Sequence, residues 1–91
     1  LSNFSGVYIS AGSINTLVNK NRFHNTHGAV ASPTSNVTPI TLDVAAPAGS
    51  ENIIKNNVFY NLNNTGAITG ISLFSATTGA HIYNNTFYHF L

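Results

Sequence analysis

The chain has few side chains that can act as acids, bases or metal ligands. Its only acidic residues are Asp43 and Glu51, and its only permanently cationic ones are Lys20, Arg22 and Lys55. Hydrolysis of a glycosidic bond requires a pair of carboxylic groups at the reacting centre. Calcium takes roughly 6 to 8 oxygen ligands, several of them usually from carboxylates. The sequence therefore predicts neither a catalytic pair nor a calcium site within this chain.

Histidines are the remaining candidates for chemistry, at His24, His27, His81 and His89. A zinc site needs three or four converging ligands, commonly held in a fixed frame such as a helix. His24 and His27 lie on an expected strand bend, which lacks that frame. His24 and His89 also occupy repeat positions that carry Tyr or Asn in other copies. We interpret these histidines as surface or bend residues, and we expect no metal site and no cofactor.

The most regular feature of the chain is a phrase that occurs three times, at residues 18–24, 54–60 and 82–88. Each copy has an aliphatic residue, an Asn three positions later, a Phe two positions beyond that, and Tyr or His directly after. A weaker phrase, in which two aliphatic residues flank a Tyr, Thr or Ser, precedes each copy at residues 7–9, 40–42 and 71–73. Because the two phrases recur together, the chain is interpreted as three turns of a repeat.

The repeat implies strands that bend at the Asn residues. Alternating aliphatic residues place one side of a strand inward. In the longer phrase, the aliphatic residue and the Phe are five positions apart, so both point inward only if the strand bends between them. Asn suits that bend because it tolerates left-handed backbone angles. We expect stacked turns to align Asn21, Asn57 and Asn85 as an amide ladder and Phe23, Phe59 and Phe87 as an inward aromatic column.

These patterns predict an all-β fold, because 3 Pro, 7 Gly and many β-branched residues interrupt every helical window. We expect a parallel β-helix, that is, a solenoid of about three turns. It would form a single segment over residues 1–91, with turns at approximately 6–28, 39–65 and 70–91.

Neither end of the sequence carries the charged edge or amphipathic helix that would cap a solenoid, so we expect no complete end caps. Joining Leu91 to Leu1 of another copy would place Ile9 27 residues after Leu73, close to the spacings of 33 and 31 residues inside the chain. The expected partners are therefore copies of the chain stacked head to tail, or flanking turns of a longer chain.

The aliphatic, Asn and Phe phrases resemble the repeats of the pectin-lyase-like superfamily, whose members are right-handed parallel β-helices with an internal Asn ladder. The resemblance covers about the whole chain and implies that fold. It leaves the function open, since the superfamily includes pectate and alginate lyases, polygalacturonases, phage tailspikes and adhesins. Its lyases use Lys or Arg as the base, which restricts the choice here to Lys20, Arg22 and Lys55. The third copy offers Tyr83, Asn84 and Thr86 instead.

The ring that follows each inward Phe is expected to point outward. His24, Tyr60 and Tyr88 would then form a column on one face, as a contact for carbohydrate or for another chain. Alternatively, the rings cover the neighbouring bend or a loop. Position along the sequence does not separate these interpretations.

Asn-x-Ser/Thr triplets are candidates for N-glycosylation in a secreted protein, at Asn3, Asn36, Asn63 and Asn84. An Asn-rich and Thr-rich chain also produces such triplets by chance. Asn36 lies between Pro33 and Pro39 and is expected to be the most accessible. Asn84 adjoins the ladder and is the least credible of the four as a glycosylation site.

Composition narrows the classes of function. Charged residues make up 5% of the chain and the net charge is +1, so no electrostatic attraction to nucleic acid or to an anionic membrane is expected. Without cysteine there is neither a disulfide nor a thiolate metal site, and no apolar run is long enough for membrane insertion. An Asn-rich and Thr-rich chain with little charge is commoner outside cells, so we expect an extracellular or cell-surface location.

Two hypotheses of function follow. In the first, the chain is a structural or interaction segment that forms a rigid rod and contacts or carries glycans. In the second, it is a fragment of a polysaccharide lyase or glycoside hydrolase whose catalytic turns lie outside these residues, and no catalytic residue is assigned within them.

Overall fold

A computed structural model describes residues 3–26, 35–62, 64 and 66–90 of the chain, except for the side chains of residues 89 and 90. Within this part, all helical or strand structure is strand. In chain order the strands are β1 (Phe4–Ile9), β2 (Leu17–Asn19), β3 (Arg22–Phe23), β4 (Val37–Leu42), β5 (Asn52–Lys55), β6 (Val58–Leu62), β7 (Ile71–Leu73), β8 (Ala80–Tyr83) and β9 (Thr86–Phe90). The prediction of an all-β fold is confirmed.

The strands form three parallel sheets of three strands each, in the orders β1-β4-β7, β2-β5-β8 and β3-β6-β9. Every third strand therefore pairs with its counterpart one turn later. We call β1–β3 the first turn, β4–β6 the second and β7–β9 the third. The paired positions are those of the sequence repeat, since Phe59 pairs with Phe23 on one side and Phe87 on the other. This topology is compatible with the predicted β-solenoid.

The bend between the second and third strand of each turn lies at one left-handed residue. Lys20, Asn56 and Asn84 have φ angles of 60°, 58° and 55°. Each comes directly before the Asn of the ladder position. Asn adopts this conformation more readily than other side chains, and it fills the position in two of the three turns. The bend explains how residues five positions apart both reach the interior.

The core is centred on the second turn, because that turn has a neighbour on each side. Its inward side chains are fully buried, namely Val37, Ile40, Leu42, Ile54, Phe59 and Leu62. In the first turn, Ile9 and Val18 are also buried, with 3% and 7% of their surface exposed. The alternation of burial is imperfect: Thr41, between Ile40 and Leu42, is buried as well.

Two features of β4 depart from simple alternation. Thr41 is covered because Tyr8, on the adjacent strand, reaches over it to Asp43 and makes an edge contact with the ring of Phe74. Pro39 lies inside this central strand, where proline is uncommon. It is accommodated opposite Gly6, since a Cβ atom at Gly6 would lie 2.7 Å from the carbonyl oxygen of Pro39.

Candidate functional site

The three ladder amides are joined by hydrogen bonds that cross from turn to turn. Asn57 Oδ1 accepts from the backbone N–H of Asn21 at 3.0 Å and from its Nδ2 at 3.1 Å. Asn85 Oδ1 accepts in the same way from the backbone N–H and Nδ2 of Asn57, both at 3.0 Å. Asn57, the middle residue, is fully buried. The structure thus brings together the amides that the sequence aligned.

The ladder has a direction. Asn57 Nδ2 also donates to the carbonyl oxygen of Val18 in the first turn at 3.0 Å, and Asn85 Nδ2 donates to that of Ile54 in the second turn at 3.1 Å. Asn21 Nδ2 donates instead to Asn19 within its own turn, at 3.2 Å. Oδ1 of Asn57 and Oδ1 of Asn85 therefore accept from the preceding turn, and the backbone N–H groups of Asn21 and Asn57 donate to the following one. Nδ2 of Asn57 donates in both directions.

The inward phenylalanines form a column of parallel rings. The ring centroids of Phe23 and Phe59 are 5.0 Å apart, with 9° between the planes, and those of Phe59 and Phe87 are 4.6 Å apart at 8°. Burial varies along the column. Phe59 is fully buried and Phe23 half-buried, whereas Phe87 is 45% exposed.

The outward rings form a second column. His24 and Tyr60 stack with centroids 4.8 Å apart, and Tyr60 and Tyr88 with centroids 5.3 Å apart, with at most 10° between planes. Sugars usually contact the flat face of an aromatic ring. Here both faces of Tyr60 are covered by its neighbours, so the middle of the column presents ring edges only. The stack runs along the solenoid rather than forming a flat platform.

The third turn leaves apolar side chains partly exposed. Leu73, Ile82 and Phe87 are 50%, 37% and 45% exposed. They pair in register with Leu42, Ile54 and Phe59 of the second turn, which are 0% exposed. Residues 66–90 contain no Lys, Arg, Asp or Glu. We call the surface formed by Leu73, Ile82 and Phe87, with the edge strands β7, β8 and β9, the third-turn face, and it is the candidate interaction site.

The charged residues lie in the first two turns. Lys20 and Arg22 are exposed beside the bend of the first turn, and Lys55 is half-buried in the second. The two carboxylates serve separate local bonds. Asp43 accepts from the Tyr8 hydroxyl at 3.3 Å. Glu51 accepts from the backbone N–H of Gly49 at 3.0 Å.

The surroundings of these two local hydrogen bonds shift the pKa values of Glu51 and Tyr8. The backbone hydrogen bond from Gly49 lowers the pKa of Glu51. Partial desolvation, together with the negative charge of Asp43, raises the pKa of Tyr8. Both groups lie at the surface, so neither shift indicates a buried acid or base poised for catalysis.

The described residues show no pocket and no group of three or more His, Asp or Glu that would hold a metal. His24 belongs to the outward column, and His81 is exposed on β8. His27 lies outside the described residues, as does the side chain of His89.

Three of the four sequon asparagines are described, and Asn63 lies outside the described residues. Asn3 and Asn36 are exposed, and Asn3 Oδ1 accepts from the backbone N–H of Asn36 at 2.8 Å. Asn84 is exposed too. The left-handed bend turns the Asn84 side chain outward, while Asn85 occupies the ladder.

Sequence reasoning missed another buried amide, that of Asn52. Its Oδ1 accepts from the backbone N–H of Thr16 at 2.9 Å, and its Nδ2 donates to the carbonyl oxygen of Ser13 at 3.1 Å. The corresponding positions in the other turns are Thr16 and Ala80. A comparison of repeats gives no signal for an amide that occurs in one turn only.

Comparison of the chain with protein-family models, with curated proteins and with solved structures found no match. Among the described residues, none belongs to a helix with the length and apolar character needed to cross a membrane.

Proposed function

We propose that this chain is a segment of a right-handed parallel β-helix of the pectin-lyase-like kind, and that it serves as a rigid structural or interaction element outside the cell or at its surface. The observation that carries the proposal is the contrast in burial between matched positions. Leu42, Ile54 and Phe59 are fully covered, whereas Leu73, Ile82 and Phe87 keep 37% to 50% of their surface exposed. The third-turn face is therefore a site onto which a further turn of the same fold stacks.

The physical gain from stacking has three sources. A further turn removes apolar surface from water at roughly 25 cal/mol per Å². It pairs the edge strands β7, β8 and β9, whose outer N–H and C=O groups otherwise face solvent. It also extends the Asn ladder beyond Asn85. Edge strands that must stay unpaired usually carry Lys, Pro or inward charges, and residues 71–90 contain no Lys, Arg, Asp, Glu or Pro.

Contact with glycans is the second part of the proposal. Tyr88 belongs to the outward column and is exposed, so a sugar would meet this ring and the edges of the others. Asn3 and Asn36 are exposed sequon residues, and with Asn63 they are the proposed attachment sites if the chain is secreted by a eukaryotic cell. Mass spectrometry of protein from a secreting host, before and after glycosidase treatment, tests this part.

The stacking proposal is tested by extending the chain. A variant in which residues 66–91 are repeated after Leu91 supplies one more turn. We expect its melting temperature to exceed that of the parent, because Leu73, Ile82 and Phe87 become covered. The matched control carries Ser at the three corresponding positions of the added turn and should gain little. An extended variant with the same melting temperature as the parent would contradict the proposal.

The alternative function is that of a fragment of a polysaccharide lyase or glycoside hydrolase. Its support is the resemblance of the repeat phrases to those of enzymes of the pectin-lyase-like superfamily, and its catalytic turns would lie outside these residues. Release of new chain ends from a panel of polysaccharides by the chain with its flanking sequence, unchanged in Lys20→Ala, Arg22→Ala and Lys55→Ala, would establish this alternative. Absence of released chain ends from every polysaccharide would rule it out for that panel.

A further inference from the structure

We propose that the third-turn face binds the first turn of a second copy of this chain, with strands parallel and with Thr86 next to Arg22 of the second copy. This inference rests on the proposed stacking function and names its partner. It is carried by the direction of the ladder, by the spacing of the apolar residues, and by the distribution of charge.

The ladder has complementary ends. Asn57 uses its backbone N–H and Nδ2 to reach Oδ1 of Asn85. By the same pattern, the backbone N–H of Asn85 and the Nδ2 proton that is not bonded to Ile54 are directed at an Asn of a following turn. Among the described residues, none donates to Oδ1 of Asn21. Donors at the third turn thus match an acceptor at the first turn. Two third turns placed face to face would set donors against donors.

The apolar spacing is the same in the first and third turns. Val18 lies nine positions after Ile9, and Phe23 lies five positions after Val18. In the third turn, Ile82 lies nine positions after Leu73, and Phe87 lies five positions after Ile82. In the second turn the first of these spacings is twelve residues. A first turn can lie in register with a third turn in all three sheets at once, as the second turn already does with each of them. Because Ile9 and Val18 are already covered, most of the newly buried surface comes from the third turn.

Charge favours the same orientation. Lys20 and Arg22 belong to the first turn. The equivalent positions in the third turn are Asn84 and Thr86, which are uncharged. A head-to-tail contact sets these cations against uncharged side chains. A contact between two first turns would set cations against cations, which is unfavourable.

The size of the end face suits a specific contact. The Cα atoms extend over 42 × 23 × 14 Å. Three stacked layers are separated by two strand spacings, about 9.6 Å in all, so the shortest of these extents is the nearest to the stacking direction. The end face is therefore the large one, 42 Å by 23 Å. A surface of those dimensions is comparable to the roughly 800 Å² that each partner contributes to an interface of standard size.

Cysteine cross-linking tests the register, because the chain has no cysteine of its own. Paired positions on neighbouring strands are about 4.8 Å apart, within the range of roughly 4.4 to 6.8 Å that a disulfide spans between Cα atoms. The variants are Arg22→Cys and Thr86→Cys. Val58→Cys is the matched control, because Val58 lies in the same column but in the middle turn.

We expect oxidation of mixed Arg22→Cys and Thr86→Cys to give the heterodimer as the predominant cross-linked species, identified by its mass. The double variant Arg22→Cys/Thr86→Cys should give a series of longer oligomers, since a head-to-tail contact does not close on itself. Val58→Cys should remain monomeric. Circular dichroism of each reduced variant checks that the fold is retained.

Two results would overturn the inference. One is a Thr86→Cys homodimer in excess of the heterodimer, which indicates two third turns face to face. The other is a yield of the Arg22→Cys/Thr86→Cys heterodimer that is no greater than the yield of cross-linked dimer from Val58→Cys. If the variant with residues 66–91 repeated is nevertheless stabilised, the third-turn face accepts a turn that is not supplied by a second copy, and only the further inference fails.

Discussion

The second and third turns carry the same phrases and differ in what covers them. Ile54 and Ile82 occupy equivalent positions, yet the first is fully buried and the second is 37% exposed. The same holds for Phe59 and Phe87. In a solenoid, burial is set by the neighbouring turn rather than by the residue itself. Equal positions in the sequence therefore differ in exposure from one turn to the next.

The largest expected effect separates the two phenylalanines. Phe59→Ala should reduce the free energy of unfolding by about 3 to 5 kcal/mol, because it opens a cavity between two rings in a buried column. Phe87→Ala should cost roughly 1 to 2 kcal/mol, since about half of that side chain already faces solvent. Urea denaturation of dilute protein measures both. Equal losses would mean that the third turn is covered in solution.

The ladder gives the next largest difference. Asn57→Leu removes the acceptor of the Asn21 N–H and both side-chain bonds of a fully buried amide, so we expect a loss of about 1 to 3 kcal/mol. Asn85→Leu should be milder, because Asn85 is only half-buried and bonds to one neighbouring turn. Thermal unfolding compares the two variants. An Asn57→Leu melt indistinguishable from that of the parent would contradict the stabilising role of the ladder.

Two glycines at positive φ extend the comparison to the first and third turns. Gly79 has φ +67°, and a Cβ atom there would overlap the carbonyl oxygen of Ala46 in the second turn. Gly12 has φ +88° and open space around its Cα. Gly12→Ala should therefore lose about 1 to 2 kcal/mol from backbone strain alone, and Gly79→Ala should lose more. Chemical denaturation measures the free energy of unfolding of both variants. A loss for Gly79→Ala no greater than that for Gly12→Ala would mean that Gly79 does not pack against Ala46.

The smallest effect is a pH dependence in the second turn. The hydrogen bond from Gly49 lowers the pKa of Glu51 below its ordinary 4.5, so the charged form is favoured in the folded state. Its stabilising contribution is present above the unfolded pKa and is lost as the pH falls through the folded one. The parent should exceed Glu51→Gln slightly at pH 7, and the two melting temperatures should converge as the pH falls below 4.5. A constant difference at all pH values would assign the effect to packing.

The repeated phrases of the sequence predicted the structural features that recur in every turn. They carried no information on features that occur in one turn only. The alignment of Phe23, Phe59 and Phe87 and the position of the bend follow from residue spacing, because strands that pair in register place equal positions together. The burial of Thr41 depends on Tyr8 crossing from the adjacent strand, and the burial of Asn52 depends on a residue found in one turn only. Both are tertiary effects without a repeated signal.

The first and third turns show the same limit. In the sequence, Ile9 and Val18 occupy the same repeat positions as Leu73 and Ile82. Their burial is unequal, since Ile9 and Val18 are 3% and 7% exposed and Leu73 and Ile82 are 50% and 37% exposed. Equal spacing in the sequence therefore does not imply equal burial, because burial depends on what lies beyond each turn.

Hydrogen exchange of β7, β8 and β9 shows whether the third-turn face accepts a further turn, when the parent at high dilution is compared with the variant that carries residues 66–91 twice. In the parent we expect rapid exchange of these outer strand amides and slow exchange in β4, β5 and β6. In the extended variant, exchange of β7, β8 and β9 should slow toward the second-turn rate, because the added turn covers them. The control with Ser at the three apolar positions should leave them fast. Unchanged exchange of β7, β8 and β9 in a folded extended variant would show that the third-turn face does not accept a further turn. That result would overturn the proposed function.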